Sequence, residues 1–466
     1  MTVDYAGRTV LVLGTGVAGA ASARVLLAAG AHVTVADQKD TPALEELAAR
    51  GAKVVVGPDV SALDGVSDLV VSPGVPPHNP LAAVAADRGV DVYSEPELAW
   101  RLRGPDAPVW LALTGTNGKT TTVTMLATIL AAAGHRTGAF GNIGVPLVDL
   151  PGRSSATGYD VVAVELSSQQ LHWSSTMAPP AGAILNLADD HLEWHGDFAA
   201  YTGAKEAIWR SSRAGTGTAV FNVDDPRVAD AACRRAGERR LGFTLAEPGE
   251  NRFGVRDGWL TMPSGEPVIA ADRIRPAGAH NVANALAAAA LASCHGVSAA
   301  AIRDGLAGYV PEPHRNQFVA IVDGVAYVND SKATNPHAAY ASLTAYPKIV
   351  WVAGGQLKGV DVDDLVRDVA PRLSGAVLLG VDREQIAQAL ARHAPSLPVR
   401  TVTRTDDGAM GEVVAAAAQL AQPGDTVLLA PAAASKDMYH GYDERGAAFA
   451  AAVRALNSAA RPTGRS

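Results

Sequence analysis

Cysteine is nearly missing from this 466-residue chain: Cys233 and Cys294 stand far apart and without metal-ligand spacing, so neither a disulfide framework nor a thiolate zinc site is expected. No apolar run reaches membrane-spanning length, and Met1-Thr2-Val3-Asp4-Tyr5 lacks a basic segment leading into a long apolar stretch; a cytoplasmic protein without membrane insertion is the simplest expectation. Aromatics are sparse (5%) and no basic tract is interleaved with them, while 39 Lys plus Arg against 47 Asp plus Glu leave a formal charge of -8. A nucleic-acid partner is therefore not expected. A Gly-x-Ser-x-Gly elbow is absent and neither cysteine has a local signature for covalent catalysis, which disfavours ping-pong hydrolysis.

What is present is apolar material for several cores, 48% hydrophobic against 18% charged residues, in a chain too long for one core. Short β-branched runs alternate with alanine-rich helical stretches: Thr9 to Leu13, His32 to Ala36, Ala52 to Val56 and Leu69 to Val71 predict parallel strands of an open α/β sheet. A second unit starts near Pro108, with strands expected at Val109 to Leu113, Val161 to Leu166 and Ala183 to Leu187, and a helix from Val123 to Ala133. Gly242 to Ala270 reads as a small antiparallel extension, and Ala279 to Cys294 as a helix. After the proline-stiffened connector Pro311-Glu312-Pro313-His314-Arg315, a hairpin around Asp323-Gly324 precedes strands at Ile349 to Ala353, Ala376 to Leu379, Val399 to Val402 and Thr426 to Leu429. The expectation is an α/β protein of three domains, 1–107, 108–310 and 311–466, with a loose tail from Ser458 to Ser466.

Leu113-Thr114-Gly115-Thr116-Asn117-Gly118-Lys119-Thr120-Thr121 is a glycine-rich turn between an apolar strand and a helix. Its backbone N–H groups suit phosphate oxygens, Lys119 can reach the β/γ bridge, and a threonine hydroxyl can face Mg²⁺. Only Thr116 and Asn117 separate Gly115 from Gly118, fewer than the usual phosphate-loop formula wants, yet the order strand, turn, helix is kept. Gly14-Thr15-Gly16-Val17-Ala18-Gly19 follows the first strand and Asp37 closes the second, the form of a dinucleotide turn with an acid placed for a ribose. Alone it fits NAD, the pyrophosphate of a nucleotide sugar, or mere tight packing; Gly74, after another strand, could face the same ligand.

Glu165 ends an apolar strand and His191 follows the next one, so both could hold a divalent cation bridging phosphates, with Thr120 in its shell. Lys205 reads by composition as an ordinary helix-surface lysine. Asn142, and Asn281 with Asn284 three residues apart on one helical face, offer amides to ligand oxygens or an adenine edge. In Asn329-Asp330-Ser331-Lys332-Ala333-Thr334-Asn335, Asp330 could accept from a ribose hydroxyl, Lys332 could neutralise an anion, and Thr334 could donate to a carboxylate. Gly354 to Gly359 and Pro431 to Asp437 take equivalent strand-exit positions; their lysines suit a small anionic substrate, although each stretch also reads as a capped helix start.

With these residues quoted, the chain resembles the Mur ligase family over nearly its whole length: Thr114 to Thr120, Gly141 to Pro146, Glu165 to Gln169, Asp190-His191, Tyr201 to Lys205, Gly278 to Asn284, Pro313 to Arg315, Asn329 to Asn335 and Ser435 to Gly446. The likeness is strongest to the branch that adds D-glutamate to UDP-N-acetylmuramoyl-L-alanine. It implies a UDP-binding Rossmann-like first domain, a central P-loop ATPase-like domain, and a Rossmann-like C-terminal domain that swings in to help bind ATP and the amino acid, in a cytoplasmic monomer of peptidoglycan synthesis. It places ATP on Gly115, Thr116, Asn117, Gly118, Lys119, Thr120, Thr121, Asn281, Asn284, Arg315 and Asp330, and the UDP-linked substrate on Gly14, Thr15, Gly16, Val17, Asp37, Gly74, Asn142 and His191. Two Mg²⁺ ions are implied on Thr120, Glu165, His191 and a carbamylated Lys205, and D-glutamate on Lys332, Thr334, Lys358, Ser435, Lys436 and Tyr442. Lys119, Glu165, His191, Lys205 and Lys332 are the implied catalytic set. The chain departs from the pattern at Ala18 (for Thr), Gln356 (for Asp), Lys436 (for Leu) and Tyr442 (for Phe). A sister ligase adding another amino acid, an NAD-dependent dehydrogenase and a non-catalytic nucleotide-controlled module are the alternatives.

Overall fold

The computed structural model describes residues 3–150, 154–156, 158–406 and 408–460. They form three sheets distributed over two compact units, residues 1–273 with 283–309, and residues 274–282 with 310–466.

In the first unit, β1 (Thr9–Leu13), β2 (His32–Asp37), β3 (Lys53–Val56), β4 (Asp68–Val71) and β5 (Asp91–Ser94) make an all-parallel sheet of order β3-β2-β1-β4-β5. The chain reverses its direction of travel between β1 and β4, so the turns leaving these strands flank the crevice where such sheets take ligands. Four expected strands are present; β5 was not foreseen.

The second sheet comprises β6 (Val109–Thr114), β7 (Ala139–Gly141), β8 (Val161–Glu165), β9 (Ala181–Ile184), β10 (Thr218–Asn222), β11 (Arg240–Phe243), β12 (Arg252–Arg256), β13 (Trp259–Thr261) and β14 (Pro267–Ala270), ordered β14-β13-β12-β11-β10-β9-β6-β8-β7. The expected antiparallel extension is corrected in part: β11 and β12 continue the sheet in parallel, and the antiparallel pairs are β12–β13 and β13–β14. The strand expected at 183–187 lies two residues earlier, because Asn186 is drawn into the phosphate turn. Every residue of β8 is buried, as a strand covered on both faces requires.

One helix joins these two sheets. Glu95–Leu102 buries Glu95, Glu97 and Arg101, which a sequence pattern would assign to solvent. Glu97 accepts from the backbone N–H groups of Ser175 (3.1 Å), Thr176 (3.0 Å) and Met177 (3.0 Å), and Glu95 accepts from Val148 N–H (2.8 Å). The two carboxylates thereby replace backbone partners that the segments beyond the first sheet would otherwise lack.

The second unit carries β15 (Gln317–Val322), β16 (Val325–Asn329), β17 (Ile349–Gly354), β18 (Leu373–Leu379), β19 (Val399–Thr401) and β20 (Thr426–Leu429), ordered β15-β16-β20-β17-β18-β19 and parallel except for the β15–β16 hairpin. Asp323 (φ 51°) and Gly324 (φ 77°) supply the two positive φ angles that a two-residue hairpin turn needs. Thr41-Pro42, Asn79-Pro80, Asp225-Pro226 and Asn335-Pro336 each start a helix with a side-chain cap followed by proline, a start legible in sequence. Residues 458–460 continue the last helix, Tyr442–Ala460, instead of trailing loose; 461–466 lie outside the described residues. Among the described residues no helix is long and apolar enough to cross a membrane.

Candidate active site

The turn after β6 brings the expected phosphate residues together. Gly118 (φ 80°) permits the chain to enter the helix Lys119–Ala132, which begins four residues earlier than the apolar pattern alone suggested. A side chain at Gly118 would collide with Asn284 Oδ1, so Asn284 lies against the turn. Asn186 clamps the turn by accepting from Asn117 N–H (2.8 Å) and donating to Asn117 C=O (3.0 Å), while Thr116 Oγ1 meets Tyr201 Oη at 2.8 Å. Lys119 Nζ curls back to the carbonyls of Gly115 (3.1 Å) and Thr116 (2.9 Å). These bonds set the ammonium beside a turn suited to phosphate. Thr121 is buried behind it.

Glu165, at the end of β8 and 2% exposed, accepts from Thr120 Oγ1 (2.9 Å) and Asn142 Nδ2 (3.1 Å). Asn142 also takes Glu165 C=O through its own backbone N–H (2.9 Å), so three expected residues from three segments meet on one carboxylate. Lys205, expected on composition to be a surface lysine, is 2% exposed and donates to Gly115 C=O (2.9 Å) and Thr114 Oγ1 (3.3 Å). Burial, and then the neighbouring Lys119 charge, push its pKa well below the ordinary lysine value. Burial thus favours the uncharged, nucleophilic form of this amine beside the phosphate turn. His191 (φ 53°) starts the helix Leu192–His195 with its side chain half exposed, 3.7 Å from Asp190.

Of these groups, Gly115, Lys119, Asn142, Asp190, His191, Tyr201 and Lys205 line a cleft of about 320 Å³, together with Pro73, Gly74, Ser167, Ser168 and Gln169. Gly74 thus joins the turn after β4 to the phosphate turn. Across the first sheet's crevice, Gly14 (φ 90°) and Gly19 pack backbone to backbone, because a Cβ on Gly19 would strike Gly14 C=O. Gly16 precedes the helix Val17–Ala28, whose first residue is 67% exposed. Asp37 braces the glycine turn: one oxygen accepts from both Thr15 N–H (2.8 Å) and Thr15 Oγ1 (2.8 Å), and these bonds hold its pKa low despite desolvation.

In the second unit the loops leaving β16, β20 and β17 are neighbours, which gathers Asp330, Lys332 and Thr334, then Ser435 and Lys436, then Lys358. Gln356 and Ala434 exchange backbone bonds (2.8 and 3.0 Å) that tie two of these exits together. Lys332 Nζ lies 3.7 Å from the centre of the Tyr442 ring, so the ring stabilises the cation. Asp330 accepts from Asn316 N–H (3.0 Å), and desolvation raises its pKa to about 6. Arg315 Nε reaches Glu312 at 3.5 Å; Asn281 is buried and donates to Ala277 C=O (3.1 Å). Lys358 (φ 56°) and Lys436 are exposed, whereas Ser435 is buried.

Two residues at these sites gave no usable sequence signal. Arg445, in the alanine-rich last helix, is 1% exposed and donates to Ser331 Oγ (3.0 Å), Ser331 C=O (2.9 Å), Gly354 C=O (3.2 Å) and Ala433 C=O (3.1 Å), pinning all three strand exits with one guanidinium. His195, four residues past His191, is buried against the cleft wall through Ser168.

Family models match in three places: the Mur ligase MurD-like N-terminal domain over residues 8–94, the Mur ligase middle domain over 113–292, and the Mur ligase glutamate ligase domain over 314–433. The UDP-N-acetylmuramoylalanine--D-glutamate ligase of Thermobifida fusca is 50% identical over 97% of this chain and 100% of its own, and that of Streptomyces avermitilis 49% identical over 98% and 100%. Among solved structures, MurF from Acinetobacter baumannii shares the fold with a TM-score of 0.59 at 21% identity, covering 97% of this chain and 93% of its own. UDP-N-acetylmuramate-alanine ligase MurC from Thermotoga maritima does so at 0.56 and 18%, covering 96% and 99%. The phosphate turn, the buried carboxylate and the relatives along its full length agree: the chain belongs to the Mur ligase family of ATP-dependent acid–amino-acid ligases.

Proposed function

We propose that this enzyme joins D-glutamate to UDP-N-acetylmuramoyl-L-alanine in the cytoplasm, acting as a monomer, with ATP converted to ADP and phosphate. The observation that carries the reading is the convergence of Lys119, His191 and the buried Lys205 on one cleft that also takes in Gly74 of the first sheet, with Glu165 bonded to the cleft-lining Asn142. The full-length likeness to D-glutamate ligases supports the choice of amino acid. Residues 1–107 would hold the UDP-linked substrate, 108–310 the ATP, and 311–466 the amino acid.

In this scheme the terminal carboxylate of the precursor attacks the γ-phosphorus of ATP, ADP departs, and an acyl phosphate forms. The D-glutamate amine then attacks the acyl carbon and expels phosphate, leaving an amide. Lys119 supplies positive charge where two anions must approach, and the turn N–H groups orient the phosphates. Lys332, steadied on Tyr442, faces the amino-acid carboxylates together with Thr334, Lys358, Ser435 and Lys436.

Among the described residues no three His, Cys, Asp or Glu side chains converge as a ready-made metal site. The donors at hand are a buried carboxylate (Glu165), a hydroxyl (Thr120), an imidazole (His191) and the Lys205 amine, a hard-donor set that fits Mg²⁺ once Lys205 is an anion. Burial, which favours the uncharged amine of Lys205, provides that route: its lone pair attacks CO₂, a C–N bond forms as one C=O π bond opens, the proton passes to water, and a carbamate replaces a would-be ammonium. Two Mg²⁺ ions bound by Thr120, Glu165, His191 and carbamylated Lys205 would neutralise phosphate charge.

The test is to incubate purified enzyme with ATP, Mg²⁺ and UDP-N-acetylmuramoyl-L-alanine, offer D-glutamate, L-glutamate and other amino acids separately, and identify products by mass. Product with D-glutamate is expected; exclusive reaction with another amino acid overturns the assignment.

A further inference from the structure

His195 has no part in the scheme above, yet it is 8% exposed and built into the wall of the cleft. Its Nε2 lies 3.0 Å from Ser168 Oγ, and Ser168 and Gln169 both line the cleft beside His191 and Lys205. The imidazole is held by rings around it: Trp194 at 4.4 Å between centroids, Tyr201 at 5.4 Å and His172 at 6.0 Å. It therefore cannot turn away from Ser168 without repacking the wall. Burial above all pushes its pKa down to about 4, so the ring is neutral at pH 7 and carries one N–H.

Which nitrogen carries the proton follows from the other side of the ring. Nδ1 is buried and, among the described residues, has no hydrogen-bond partner. A proton on Nδ1 would leave a buried N–H orphaned, a rarer and costlier state than an unused lone pair. The proton belongs on Nε2, and the imidazole donates to Ser168 Oγ. Ser168 then accepts at its oxygen and keeps its own proton to give, with Gln169 Oε1 the neighbouring acceptor at 3.4 Å, a long and replaceable bond. Gln169 in turn makes no bond through its NH₂ group among the described residues, so the far end of this row is also a donor.

We infer that His195 is a positioning residue: by donating to Ser168 it orders the row His195, Ser168, Gln169 so that both cleft-lining side chains present donors to an oxygen of the nucleotide-linked precursor. The chemistry recognised is an anionic or carbonyl oxygen, which is what the acyl end of that precursor offers. The inference rests on the ligase reading and adds residues to it.

Two measurements test it. In full-length enzyme carrying ¹⁵N-histidine, the His195 signal, identified by its loss in His195→Phe, is expected to show the proton on Nε2; a proton on Nδ1 overturns the inference, and this readout needs no turnover. In steady-state assays, His195→Phe and Ser168→Ala are each expected to raise the KM for the precursor about tenfold, with the double variant no worse than either. His195→Gln, whose amide nitrogen can stand near the position of Nε2, is expected within about threefold of the unmodified enzyme. The KM for ATP should stay within about twofold throughout. An unchanged precursor KM in Ser168→Ala and His195→Phe, or fully additive effects, overturns the inference while leaving the ligase reading intact. Loss of that reading would show instead as no precursor-dependent ADP formation in the unmodified enzyme. Should His195→Phe fail to fold, Ser168→Ala and His195→Gln carry the same kinetic test.

Discussion

Replacing Glu95 by glutamine should remove a pH dependence built into the joint between the first two sheets. Glu95 is 3% exposed; desolvation raises its pKa from 4.5 to about 7, a rise that N–H bonds from Val148 and Leu147 only partly oppose and the Asp149 charge reinforces. In the unfolded chain the carboxyl titrates near its ordinary value, so between about pH 4.5 and pH 7 the unfolded state has released a proton that the folded state still holds. Folding stability therefore falls as pH rises through this window and levels off above it. At 1.36 kcal/mol for each pH unit of displacement, the whole decline is worth about 3 kcal/mol. Glutamine keeps a carbonyl for the Val148 N–H but cannot ionise, and its extra buried N–H groups cost a pH-independent amount of about 1–3 kcal/mol. The assay is the urea midpoint of the tryptophan fluorescence change at pH 5 and pH 8, comparing Glu95→Gln with the unmodified enzyme; Trp100 and Trp110 sit at this joint. The unmodified enzyme should lose more of its midpoint than the variant between the two pH values. Identical shifts in both proteins would refute the claim that Glu95 is held protonated in the fold.

Lys119→Ala should abolish ligation, lowering turnover by about 10³-fold or more, because its ammonium stands on the phosphate turn itself, bonded to the carbonyls of Gly115 and Thr116; near-normal ADP release coupled to product would contradict this. Glu165→Gln should reduce turnover about 100-fold and raise the Mg²⁺ concentration needed for half-maximal rate, while the Thr120 and Asn142 contacts keep the side chain in place; a metal titration reads both. With ¹³CO₂, the unmodified enzyme should give a carbamate carbon signal that Lys205→Met lacks, and an identical spectrum from the two proteins would refute the carbamate account. Tyr442→Phe should leave the KM for D-glutamate within about twofold and Tyr442→Ala should raise it about fivefold, since the ring face and not the hydroxyl steadies Lys332.

The strands that were legible are those whose apolar runs are buried on both faces, such as β1, β8 and β17, where local composition and tertiary environment agree. Short or marginal strands were not: β7 is three residues at a sheet edge, and β10 is only partly buried. The start of the helix at Lys119 was hidden because threonines and a lysine there serve the turn instead of an apolar face. Glycine turns and strand-exit polar clusters were legible as places where polar side chains gather, because their spacing is fixed by backbone geometry. Lys205, Glu95 and Arg445 were illegible for a common reason: each is a charged residue on a helix, and only the packing of segments distant in sequence decides that it is buried. Asp37 carried the right motif, yet its first partner is Thr15, a contact that spacing alone does not reveal.

The most direct test of the acyl-phosphate route uses UDP-N-acetylmuramoyl-L-alanine labelled with ¹⁸O in its free carboxylate, turned over with ATP and D-glutamate. One labelled oxygen should pass into each released phosphate, because the carboxylate oxygen that attacks phosphorus leaves with it. Unlabelled phosphate alongside amide product would contradict the account.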